Sequence, residues 1–136
     1  MTMSEDHPES VTRPDGIAGN RTLPALTADV ACIIAFIALG RRNHAEGVTV
    51  AGVAETAWPF VTGALVGWLA SRGWRRPTAL VPTGVVVWVC TVAVGMALRK
   101  ATGAGIALSF VAVATVVTAA LMLGWRAIAT ARARRR

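Results

Sequence analysis

The chain has 136 residues, of which 54% are hydrophobic, and its mean hydropathy is +0.56; that is too apolar for an ordinary soluble domain of this size. The formal net charge of +7 sits on Lys and Arg that crowd the ends of apolar blocks, a pattern of membrane topology that argues against a nucleic-acid partner. The two cysteines, Cys32 and Cys90, lie inside apolar blocks with no CxxC pair and no neighbouring His, so they read as small packing residues and not as a metal or redox centre.

Residues 1–22 are polar, contain Pro and Gly and show no periodicity, which predicts a disordered tail. No basic stretch followed by an apolar core opens the chain, as a cleaved signal peptide requires. Four apolar blocks follow, each near the ~20 residues that cross a hydrocarbon core about 30 Å thick. Span 1 covers about 23–40, with Pro24 suited to a first helical turn. A polar turn, Arg41 to Gly47, leads to span 2 at about 48–70. The basic link 71–77 carries Trp74 at the headgroup level, and spans 3 and 4 are about 79–98 and 104–125. A basic tail, 126–136, ends in Arg132, Arg134, Arg135 and Arg136. No block alternates in period two, which excludes a transmembrane barrel. The fold class is therefore all-α, with residues 23–125 forming one polytopic four-helix membrane domain.

Lys and Arg fall unevenly on the two sides. Arg13, Arg21, Arg72, Arg75, Arg76, Arg126 and the four terminal arginines share one side, against Arg41, Arg42, Arg99 and Lys100 on the other. Both termini are expected in the cytoplasm, with the protein in the cell (inner) membrane. Offsetting the chain by 57 residues aligns Val30, Arg42, Ala57, Gly67, Trp68, Ala70 and Arg75 with Val87, Arg99, Ala114, Gly124, Trp125, Ala127 and Arg132. This faint echo leaves open a repeat of two parallel helical hairpins.

Glu55 is the sharpest polar signal, about 10 Å into span 2 at 1.5 Å per residue. A carboxylate at the centre of a span costs roughly 2.5–3.5 kcal/mol on insertion scales, so it belongs against other helices or a wet cavity. Pro59, four residues on, deprives the Glu55 carbonyl of its usual donor and places a free acceptor beside the carboxylate. That pair suits a proton or a cation. Equally, Arg41, Arg42 or Arg99 from the same side can reach Glu55 and make it a structural ion pair. Asp29, about 9 Å into span 1, reads either as a second station for the same ion, about 10 Å from Glu55 along the axis, or as an interfacial Asp at the positive end of a helix. His44 lies in the turn with Asn43 and Glu46, a solvated group and a pH-sensitive partner. Pro59, Gly63 and Gly67 keep one face of span 2 smooth for close helix packing, and Thr91 with Gly95, and Gly105 with Ser109, offer similar surfaces. No catalytic triad, phosphate loop or metal-spaced cluster is present, so neither an enzyme nor a cofactor or metal is expected.

The run GRRNHAEG…ETAWPF…GW, followed by PTGVVVW, GMALR and ALSFVAVAT, resembles an uncharacterised family of small four-span membrane proteins, catalogued as domain of unknown function 3054. The resemblance runs from about Ala28 to Trp125. It implies the four-helix fold and supplies no activity, ligand or site residue. Two functions fit the residues: a small proton- or cation-coupled transporter or ion-conducting protein using an intramembrane carboxylate, or a non-transporting accessory subunit whose buried charges set helix packing. The expected partners are the lipid bilayer, anionic lipid at the basic C-terminal tail, and further copies of the chain in a homo-oligomer.

Overall fold

Four long helices follow one another up and down in the computed structural model, which describes residues 16–42 and 47–135, with side chains from residue 21. They are α1 (Gly16–Arg41), α2 (Val50–Ser71), α3 (Val85–Ala101) and α4 (Leu108–Arg134). The four spans at Arg21–Arg41, Val50–Ser71, Leu80–Ala101 and Leu108–Arg134 are each long and apolar enough to cross a membrane. Strands are absent among the described residues. Asn43, His44 and Glu46 lie outside them.

Local chemistry sets several of the boundaries. Thr49 caps α2, its side-chain oxygen accepting from the Gly52 amide at 3.0 Å, which satisfies one of the free donors of a first helical turn. Arg72 closes α2 in the left-handed region (φ 51°) and donates its amide to Leu69 at 3.3 Å. A short 3-10 turn (Gly73–Arg75) and an irregular turn (Leu80–Gly84), in which Val81 is extended, lead into α3. Thr102 ends α3 by donating to the Leu98 carbonyl at 2.8 Å, and Gly103 turns the chain at φ 80°.

Two helix ends differ from the hydropathy reading. α1 begins at Gly16, ahead of the Leu23 start, and α4 runs on to Arg134, beyond Trp125. The apolar block marks only the part of a helix that needs hydrocarbon. Ala- and Arg-rich sequence such as AIATARAR propagates helix equally well outside it.

The closest pairing is between α2 and α3, through the glycines of the smooth face. A Cβ on Gly63 would stand 2.6 Å from the Cys90 carbonyl oxygen, and one on Gly67 would stand 2.6 Å from Cα of Val87. Gly95 in turn lies under the Phe60 ring. Pro59 is buried beside Phe60. The bundle centre holds Ile33, Phe36, Phe60, Ala64, Val87, Ala114 and Met122. Two of the three buried threonines, Thr91 and Thr118, bond back to carbonyls of their own helices. Large apolar side chains such as Val50, Leu69, Val116 and Ile128 face outward, as they do when the surrounding medium is lipid.

Candidate functional site

One polar cluster lies in the bundle interior, towards the end that holds the start of α1, the 72–79 link and the end of α4 (the terminal end). Asp29 on α1 and Arg126 on α4 are both fully buried and pair side by side: Nη1 to Oδ1 and Nη2 to Oδ2, each at 2.7 Å. Two indole groups complete the carboxylate. Trp68 of α2 donates to Oδ2 and Trp125 of α4 donates to Oδ1, each at 2.9 Å. Arg126 spends further donors on backbone, with Nε to the Pro77 carbonyl at 3.2 Å and Nη1 to Met122 at 3.3 Å. Its guanidinium also stacks 4.5 Å from the Trp125 ring centre, a cation–π contact.

Gly84 makes room for this arrangement, since a Cβ there would come within 2.8 Å of Cδ of Arg126. The cluster thus joins α1, α2, α4 and the link at one level. A buried pair survives desolvation only when geometry is good and the remaining donors and lone pairs are satisfied, and here they are. Forked guanidinium–carboxylate pairing is the strongest form of such a contact.

At the opposite end (the turn end) α1 finishes, α2 begins and the 102–107 turn leads into α4. A cleft of about 810 Å³ enters between α1, α2 and the start of α4. Arg41 reaches across it, Nη1 lying 3.4 Å from the Thr56 hydroxyl, beside Gly52. Arg99 donates Nε and Nη2 to the Gly105 carbonyl at 3.3 and 3.0 Å and lies 4.5 Å from the Phe110 ring centre. Below, Phe36, Phe60 and Phe110 meet with ring centres 6.2–6.3 Å apart and close the floor.

The structure separates the two carboxylates. Asp29 is level with Trp68, whereas Glu55 adjoins Thr56 at the level of Arg41. From Asp29 to Arg41 is about 18 Å along α1 at 1.5 Å per residue, with the aromatic floor and the apolar core between. The spacing of about 10 Å, and with it two successive stations, is therefore not what the packing produces. Glu55 is exposed on the side of α2, and no ion pair or hydrogen bond to its carboxylate occurs among the described residues. The pairing of Glu55 with Arg41, Arg42 or Arg99 is corrected accordingly. Arg99 is turned to Gly105 and Phe110, Arg41 crosses to Thr56 and Gly52, and Arg42 is exposed at the end of α1. Asp29 is not in the first turn of α1, which begins at Gly16, and its carboxylate is buried against Arg126.

Arg126 is the residue that sequence reasoning missed, having been assigned to the basic tail. Its signal was weak, since an arginine directly after an apolar block is what topology alone produces. The usable clue was Asp29: a carboxylate in the half of the bilayer nearest the termini needs a cation from that same side, and Arg126 is the first one after span 4.

A model of the family described as Protein of unknown function (DUF3054) matches residues 26–129. No curated protein and no solved structure matches the chain.

Proposed function

We propose a transport function for this chain, which belongs to the DUF3054 family and takes from that family's description no activity. The observation that supports the reading is a buried ion pair between two clefts. One cleft is lined by Arg41, Arg99 and Phe110 and the other, of about 580 Å³, by Arg21, Trp125 and Arg132, and the Asp29–Arg126 pair joins α1 to α4 between them. A carrier needs a central contact that can exchange between access from one side and access from the other. The glycine-packed α2–α3 hairpin serves as the frame, and α1 and α4 as the moving elements. Asp29, not Glu55, is then the intramembrane carboxylate of a proton-coupled carrier. Release of Arg126 from Asp29 would free α1 from α4, and the carrier cycle uses that exchange. Cations at the cleft, Arg41 and Arg99, meet the solute. In this reading the chain catalyses no reaction and uses no cofactor.

The second reading, a non-transporting subunit, is favoured by the completeness of the same pair, whose carboxylate accepts four hydrogen bonds. Cys32, three residues from Asp29 on α1 and half-buried, separates the two. Labelling of Cys32 by a membrane-impermeant maleimide is measured from the terminal side in a Cys90→Ala background. Labelling is compared with and without an imposed proton gradient and normalised to the denatured chain. Transport predicts labelling that rises when the gradient is imposed and does not change in the Asp29→Leu/Arg126→Met double variant. Labelling that the gradient leaves unchanged in the native chain sinks the transport reading.

Orientation and partners follow by charge. The bias of Lys and Arg places both termini in the cytoplasm of a multi-pass cell-membrane protein, with the turn-end cleft facing out. Anionic lipid meets Arg132, Arg134 and Arg135 at the end of α4, at about 1 kcal/mol per basic residue near the surface. A second copy of the chain covers the exposed Glu55, since hydrocarbon is a poor environment for it.

A further inference from the structure

We infer that the turn-end cleft binds an amphiphilic organic anion, one carboxylate or phosphate head on an apolar tail or ring. The inference names the solute class of the proposed carrier and rests on that reading for what becomes of the ligand after binding. Charge supports it first. Arg41 and Arg99 stand on the walls with the Thr56 and Ser109 hydroxyls, and no carboxylate is among the described lining residues. Arg99 is held in place by Gly105 and Phe110, while its Nη1 makes no hydrogen bond among the described residues. A fixed guanidinium with a donor to spare is suited to a planar or tetrahedral oxyanion. α4 starts at the same mouth, and its N-cap, Ala107, has no side chain to cap the first amides; their positive pole adds to the field of the arginines.

The apolar half of the ligand has its own place. Phe36, Phe110 and Val113 line the cleft beside the arginines. Gly40 and Gly105 border the cleft without side chains of their own to narrow it. A purely inorganic anion would leave this aromatic surface unused, and a neutral hydrocarbon would leave the spare donor of Arg99 unused. Only a molecule with both halves uses the whole site.

The test uses the full chain in phosphatidylcholine nanodiscs, with dansyl-labelled undecanoate as the fluorescent probe and dodecanoate, dodecanol and acetate as competitors. Dodecanoate is expected to displace the probe, with dodecanol and acetate each weaker by about tenfold or more. Arg99→Gln is expected to weaken binding about tenfold, which corresponds to about 1.4 kcal/mol. Gly40→Phe, which fills open space and removes no charge, is expected to do the same and carries the test if the arginine variant misfolds. Equal displacement by dodecanol, or native binding in both variants, overturns the inference. Phosphatidate added to the disc separates the sources: competition from within the bilayer assigns a lipid head, and competition by dodecanoate alone assigns a free acid. Because binding is read without flux, loss of this site leaves the Cys32 result intact, and Cys32 labelling that the gradient does not change leaves the binding result intact.

Discussion

At the scale of single residues, the two intramembrane carboxylates part company. Asp29 holds four hydrogen bonds in a buried site, whereas Glu55 is exposed on the flank of α2. Asp29→Asn and Arg126→Gln are each expected to destabilise the fold by about 3–5 kcal/mol, because each leaves one buried partner uncompensated. Glu55→Gln is expected to change monomer stability by no more than about 0.5 kcal/mol. Reversible unfolding in mixed micelles reads all three. The double variant Asp29→Leu/Arg126→Met is expected to recover most of the loss, since apolar residues of similar volume often replace a buried pair without penalty. Trp68→Phe deletes one donor to the carboxylate and is expected to cost about 1.5–3 kcal/mol. Both carboxylates lie within apolar blocks, and depth along a helix says nothing about which face a side chain occupies.

Among the elements, α2 and α3 show how much a small-residue pattern predicts. Gly63 and Gly67 were legible as a smooth face, and in the bundle both press directly on α3 backbone. Since backbone cannot swing aside as a flexible side chain does, Gly63→Ala and Gly67→Ala are each expected to destabilise by about 1–3 kcal/mol through overpacking. Gly40→Ala, on the open wall of the cleft, is the control. It meets no atom within 4 Å and is expected to be neutral or stabilising by up to about 1 kcal/mol from helix propensity. The same comparison corrects Gly105 and Ser109, whose spacing resembled a packing face. Gly105 lies in the turn before α4 and Ser109 is exposed in its first turn, because α4 starts at Leu108 and not at the edge of the apolar block. Helix starts depend on caps and turns, which hydropathy averages away.

For the whole molecule, the four spans carry the topology. Reporter fusions at both ends are expected to score as cytoplasmic, and a cysteine introduced at Lys100, exposed at the end of α3, is expected to react with an impermeant reagent from outside only; the reverse pattern would invert the proposed orientation and turn the cleft inward. The sequence by itself determined the membrane class, the number of helices and the glycine face of α2. Each of these follows from composition and local spacing: twenty apolar residues must become helix in lipid, wherever the rest of the chain lies. Only the tertiary structure decided that Asp29 meets Arg126, nearly a hundred positions away, and that Arg41 and Arg99 border one cleft. Pairing between helices depends on rotation about each axis and on register between neighbours. Those two quantities are set by the summed packing of Gly84, Trp68, Trp125 and the core, and no single stretch of the chain contains them.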